Sequence, residues 1–194
     1  MCGIVGYVGG QEPVALLVDG LRHLESRGYD AAGVAVVADG HIRHVRAMGK
    51  LQELVRKLEA EPVTGHYGLA HTRWATHGRP SERNAHPILD SRARVAVIHN
   101  GIIENYAELR GEMREIGWQF ATDTDTEVVA NLISAELERE PNLLSAVRAA
   151  MRRLLGHYAF AAVTTACDGE EIVVARHGPP LVLGLAADEQ FLAS

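Results

Sequence analysis

The chain has 194 residues, 47% of them hydrophobic, a size that supports one domain with a substantial core. Its net charge is −6, and its 19 Lys and Arg are scattered among 25 Asp and Glu with no basic stripe interleaved with aromatics, which argues against a nucleic-acid partner. No apolar run approaches ~18 residues and no secretory signal opens the chain, so the expectation is a soluble, cytoplasmic protein with no membrane partner.

Taken in order, the chain opens with Met1-Cys2-Gly3-Ile4-Val5-Gly6, and residues 3–8 read as a strand. Leu16, Leu17, Gly20, Leu21 and Leu24 share one face of a helix over 13–27, with Pro13 suited to its first turn and Gly28 stopping it. Residues 31–37 and 41–46 flank Asp39-Gly40, a dipeptide that favours a tight hairpin turn. A helix over 51–58 and a strand over 67–71 follow. The stretch 72–87, rich in Arg, His and Asn, is too long and too polar for a mere connector. Residues 94–99 read as a buried strand closed by Asn100-Gly101. Helices are expected over 105–116, over 126–139, and after Pro141 to 155. Strands recur at 157–165, 171–175 and 181–185, with turn signals at Asp168-Gly169 and Gly178-Pro179. The sheets are therefore expected to be mainly antiparallel. The apolar run at 190–194 ends without a polar tail, which suggests that the chain is cut from a longer protein.

Cys2 is the most informative residue. Removal of Met1 would make it the amino terminus, so that one residue carries a thiol of pKa ~8.5 and an α-amine of pKa ~7.7–8.0 able to take the thiol proton. The alternative is a buried cysteine at a strand start. Acyl transfer from an amide also needs donors aimed at the developing oxyanion. Asn100 and Gly101 can supply these, although Asn-Gly is equally a turn signal. Arg73 and Asp125 together describe a clamp for an α-amino acid, the guanidinium for its carboxylate and the carboxylate for its ammonium. Taken singly, Arg73 reads as a solvated or helix-capping arginine, and Asp125 or Thr124 as an N-cap for the helix starting at Thr126. Glu127 and Asp123 read as first-turn electrostatics rather than catalytic acids. His71, His77, His86 and His99 fit no zinc-ligand spacing, so no metal is expected. A Cys–His pair is the rival activation scheme, although such a cysteine usually opens a helix, whereas Cys2 leads into a strand. Cys167 reads as a structural or exposed thiol.

The segments Cys2 to Gly6, Leu24 to Gly33, His71 to Gly78, Asn84 to Pro87, His99 to Asn105 and Thr124 to Glu127 resemble the class II glutamine amidotransferases, whose glutaminase domain is an N-terminal-nucleophile hydrolase. The run His71-Thr72-Arg73-Trp74-Ala75-Thr76-His77-Gly78 resembles the branch that aminates fructose 6-phosphate more than the amidophosphoribosyltransferase branch. The resemblance implies an α+β fold, a four-layer αββα sandwich, with residues 1–194 as one glutaminase domain. It implies L-glutamine as substrate, no cofactor, and Cys2 as nucleophile with Asn100 and Gly101 as its oxyanion hole. Arg73 and Asp125 would hold the substrate with help from Thr76 and His77, and Trp74 would sit in the loop closing over it. Arg27 to Asp30 would form a wall beside Cys2. Fructose 6-phosphate would be met only by sugar-isomerase domains absent from this chain, in a full-length homodimer. Ser26 stands where the family pattern has Tyr, and Ala31 where it has Ser. A non-catalytic glutamine-binding module is the alternative if Met1 is retained.

Overall fold

The computed structural model describes residues 2–194; Met1, whose removal the nucleophile reading requires, lies outside them. In chain order the elements are β1 (Gly3–Gly9), α1 (Pro13–Leu24), β2 (Ala31–Ala38), β3 (His41–Met48), α2 (Leu51–Ala60), β4 (Tyr67–Arg73), β5 (Ile88–Leu89) and β6 (Val95–Ile103). The second half adds α3 (Tyr106–Glu115), α4 (Thr126–Glu136), α5 (Leu143–Met151), β7 (Gly156–Thr164), β8 (Val173–His177), β9 (Val182–Leu185) and β10 (Glu189–Ala193). They form two antiparallel sheets, a six-stranded one ordered β3-β2-β4-β1-β10-β9 and a four-stranded one ordered β5-β6-β7-β8.

The layers follow from the two-residue period of a strand. In β1, Val5 and Tyr7 face α1 and α2 in a cluster with Leu17, Leu21 and Leu54, while Ile4 faces the other way. In β6, Val95 and Val97 face α3 to α5, while Ala96 and Ile98 turn inward. The inward sets of both sheets meet in a third cluster that joins Ile4, Leu69, Ile98, Ala161 and Leu192. The result is helices on sheet on sheet on helices, the αββα sandwich. Strands covered on both faces need no polar positions, which is why β2 reads as the unbroken apolar run Ala-Ala-Gly-Val-Ala-Val-Val-Ala.

Several boundaries differ from the sequence expectation. The first helix ends at Leu24 and tightens into a 3-10 turn over Glu25–Arg27, closed by the Gly28 N–H on the Glu25 carbonyl. Gly28 lies so close to the Arg73 backbone that a Cβ there would stand 2.8 Å from the Arg73 carbonyl carbon. The fourth helix stops at Glu136, where Leu137 and Glu138 donate back to Ile133 and Ala135 in a closing turn. The strand expected at 171–175 is Val173–His177, its register set by β7 with Val173 opposite Ala162 and His177 opposite Tyr158. The largest difference is at Asn100-Gly101: no turn forms, and β6 runs through both residues to Ile103, paired with β7 along its length. Among the described residues no helix is long and apolar enough to cross a membrane.

Candidate active site

The inward parity that builds the central core also builds the site. Counting back by two from Ile4 gives Cys2; counting forward from Leu69 gives His71 and Arg73; from Ile98 it gives Asn100; from Leu192 it gives Ser194. The middle of the sandwich is thus apolar, whereas one end of the same two inner faces carries a thiol, an imidazole, a guanidinium and an amide. A cavity of about 250 Å³ opens there. All eight residues expected from the sequence line it: Cys2, Arg73, Trp74, Thr76, His77, Asn100, Gly101 and Asp125. Its volume lies below the ~300–1,000 Å³ of pockets for drug-sized ligands, which suits a small metabolite.

Cys2 touches the segment that follows β4. Its Sγ accepts the Trp74 N–H at 3.1 Å and lies 3.4 Å from the Trp74 carbonyl. Burial raises the thiol pKa; the Trp74 N–H and the nearby Arg73 charge act against that rise. A raised thiol pKa means that the thiolate must be generated by a base rather than stand ready. The Trp74 segment is fixed from behind by Asp30, whose carboxylate accepts the Ala75 N–H at 2.8 Å and whose own N–H donates to the Arg73 carbonyl at 3.1 Å. Trp74 itself is 46% exposed and meets Tyr29, 53% exposed, edge to face at 5.3 Å. Trp74 lines the cavity, and Tyr29 packs on its ring from outside.

Asn100 is held at both ends of its amide. Its Nδ2 donates to the Cys2 carbonyl and to Ser194 Oγ, each at 3.2 Å, and its Oδ1 lies 3.0 Å from His71 Nε2. Gly101 adopts φ +113°, and a Cβ there would sit 2.1 Å from the His157 carbonyl oxygen across the sheet. Only glycine satisfies both the angle and the space. The dipeptide is therefore a special backbone position inside a strand, next to the nucleophile candidate.

Arg73 is only 3% exposed and neither capping nor solvated. Its guanidinium donates to the carbonyls of His77, Gly78 (3.1 Å) and Arg79 (3.5 Å), and so holds the loop that carries Thr76 and His77 against the cavity. Burial pulls its pKa down, opposed by Cys2, Asp125 and Asp30, but an arginine remains charged in this setting. Asp125, also 3% exposed, does not cap α4 with its side chain. Instead its Oδ2 accepts the Ile103 N–H at 2.9 Å, which ties the start of α4 to the end of β6. Glu127 likewise serves structure: it accepts the N–H groups of Ala121 and Thr122, both at 2.6 Å.

Four imidazoles gather near this end. His71, His86 and His99 are buried and His77 lines the cavity. His71 and His86 rings lie 4.5 Å apart, and Thr126 Oγ1 bridges His86 Nε2 (2.7 Å) and His99 Nδ1 (3.0 Å). Burial pushes His71 down to about 3, takes His86 well below its ordinary value and lowers His99, where Asp125 opposes the shift. All three are neutral at physiological pH. Among the described residues no group of three His, Cys, Asp or Glu side chains is arranged to hold a metal ion. Sequence reasoning weighed these histidines as ligands or bases, and His77 also as a substrate contact. It missed their structural links, and it missed Ser194, whose Oγ takes the Ile4 N–H at 3.0 Å as well as the Asn100 amide. The signal available was the inward parity of β4, β6 and β10.

Comparison with known proteins defines the class first by fold. The sandwich aligns with a solved structure described as the allosteric regulatory enzyme of purine biosynthesis at TM-score 0.86 and 29% identity, over 100% of this chain and 42% of that one. It aligns with glutamine phosphoribosylpyrophosphate amidotransferase from B. subtilis at TM-score 0.84 and 29% identity, over 99% of this chain and 41% of that one. Both neighbours have the N-terminal-nucleophile hydrolase fold. Residues 71–194 match the family described as "Glutamine amidotransferase domain", and the chain belongs to that family, in its class II form. The glutamine–fructose-6-phosphate aminotransferase (isomerizing) of Shewanella oneidensis is 51% identical over 194 residues, covering 100% of this chain and 32% of that protein. The protein of the same name from Gloeobacter violaceus is 51% identical over 195 residues, with 100% and 32% covered. This chain thus spans about a third of the length of these relatives.

Proposed function

We propose that the chain hydrolyses the side-chain amide of L-glutamine through a γ-glutamyl thioester on Cys2, giving glutamate and ammonia. The observation that carries this reading is the convergence of Cys2, Asn100-Gly101, Arg73 and Asp125 on one cavity of about 250 Å³, drawn from four segments far apart in sequence. With Met1 removed, the α-amine of Cys2 takes the thiol proton as sulfur bonds to the glutamine Cδ. The carbonyl π electrons move to oxygen, where the Asn100 amide and the Gly101 N–H receive the oxyanion. Collapse breaks the C–N bond, and the protonated amine returns its proton to the leaving nitrogen, releasing NH₃. Water then attacks the thioester with the amine again as base, and glutamate leaves a restored thiol. Arg73, with Thr76 and His77, holds the substrate α-carboxylate, and Asp125 holds its ammonium. Trp74 closes over the bound molecule. No cofactor enters this scheme.

In a protein of the relatives' length, the ammonia would convert fructose 6-phosphate to glucosamine 6-phosphate in separate sugar-isomerase domains of a homodimer. The 51% identity over the whole chain to the sugar-phosphate aminotransferases, against 29% to the phosphoribosylpyrophosphate amidotransferase, favours that destination. Incubating the chain with glutamine and measuring ammonia and glutamate in equal amounts tests the reading. Cys2→Ala should abolish both while glutamine still binds. Binding without hydrolysis by a protein shown by mass spectrometry to lack Met1 would instead support a binding module.

A further inference from the structure

No hydrogen bond joins His71 to the Cys2 thiol, yet His71 is fully buried and bonded to the one side chain that the mechanism needs in a fixed orientation. An asparagine amide has a donor end and an acceptor end of nearly the same shape. Only the donor end stabilises an oxyanion, and a half-turn about the last side-chain bond would present a repelling oxygen instead. Something must set which end faces the cavity. At one end the Cys2 carbonyl, which can only accept, favours Nδ2, whereas Ser194 Oγ can also donate and is satisfied by either orientation.

A second discrimination, from a side chain, lies at the other end. His71 Nε2 is 3.0 Å from Asn100 Oδ1 and 3.1 Å from the backbone carbonyl of His99. The His99 carbonyl can only accept, so Nε2 must carry the proton. A protonated Nε2 in turn can face only the oxygen end of Asn100. His71 Nδ1 is buried without a partner, as expected for the unprotonated nitrogen of that tautomer. A backbone carbonyl of β6 thus fixes the imidazole tautomer, and the imidazole fixes the side-chain amide of the next residue along that strand, on the sheet facing its own. We infer that His71 is a positioning residue which orients the Asn100 amide with Nδ2 toward the nucleophile, and so acts on the oxyanion step through Asn100 rather than on the substrate itself. His86, packed on the His71 ring and tied through Thr126 to His99, holds the imidazole in place.

This inference rests on the oxyanion role proposed for Asn100, and the test separates the two. Glutamine hydrolysis is measured for His71→Leu, His71→Gln, His71→Asn, Asn100→Ala and the His71→Leu/Asn100→Ala pair, with thermal unfolding and the rate of Cys2 alkylation by iodoacetamide recorded for each. Asn100→Ala should lower kcat by about 10²–10³. His71→Leu should lower kcat by about tenfold to a hundredfold, with KM and the alkylation rate within about twofold, since neither depends on the oxyanion. In the double variant the second change should add less than about threefold, because it acts through a group already removed. His71→Gln, whose Nε2 reaches near the imidazole Nε2, should restore most of kcat, whereas His71→Asn, too short, should not. If His71→Leu does not fold, the Gln-against-Asn pair carries the test. Multiplicative losses in the double variant, or equal losses for Gln and Asn, would overturn the positioning role. Unchanged kcat in Asn100→Ala would overturn the oxyanion reading itself.

Discussion

Asp39-Gly40 and Asn100-Gly101 are the same signal in the sequence and opposite objects in the fold. At the first, both residues take positive φ (52° and 73°), the chain reverses between β2 and β3, and a Cβ on Gly40 would meet nothing within 4 Å. At the second, Gly101 also takes positive φ, yet the chain goes straight on, paired with β7 from Val95 opposite Thr164 to Ile103 opposite Gly156. Local preference decides the exposed turn. At the buried strand, the ladder with β7 decides, and the glycine serves instead to let two backbones approach beside the cavity.

The sharpest way to break this contrast is to add a methyl group at each glycine. Gly101→Ala forces a Cβ into the His157 carbonyl at a strained φ. It should cost about 4 kcal/mol or more and eliminate glutamine hydrolysis, read by chemical unfolding and ammonia release. Acid should strike the site end next. Below pH 6.5 the unfolded chain protonates His71, whereas the folded chain resists until about 3. Stability is therefore full above pH 6.5 and declines as pH falls toward 3. The loss from His71 alone is on the order of 3 kcal/mol at pH 4, and His86 and His99 act in the same direction. Unfolding at pH 7 and pH 4, with and without His71→Gln, measures it; the variant should show the shallower pH dependence. Gly40→Ala is the smallest case. It should cost about 1 kcal/mol, for backbone conformation only, and leave hydrolysis unchanged.

Much of this architecture was legible beforehand. The helix face Leu17–Leu21–Leu24, the Asp39-Gly40 hairpin and the alternation of helices with apolar strands are local patterns that led to mainly antiparallel sheets; the layering of two sheets under helices came from the family resemblance. Cys2, Arg73, Asn100, Gly101 and Asp125 stood out by their chemistry, a thiol behind Met1 and polar segments a core would not want, while Trp74, Thr76 and His77 came from the family resemblance; all eight line the cavity. What was not legible depends on partners distant in sequence. The run of β6 through Asn100-Gly101 needs β7 more than fifty residues later. The jobs of Arg73 and Asp125 in holding backbone carbonyls and N–H groups require the loop at 77–79 and the end of β6 to be in place. The neutrality of His71, His86 and His99 follows from burial between two sheets, which no spacing encodes.

The central claim is that Cys2 works only as an amino terminus, its own α-amine supplying the base that a thiol of raised pKa requires. The direct measurement compares glutamine hydrolysis by the chain with Met1 removed, verified by mass spectrometry, against a form bearing an uncleavable residue ahead of Cys2. The account predicts that blocking the amine lowers kcat by at least about 10², as expected for loss of a positioned general base, and that in the free form kcat/KM rises with pH as an amine of pKa ~7.7–8.0 loses its proton. Full activity in the blocked form would contradict it and place the base on a neighbouring histidine.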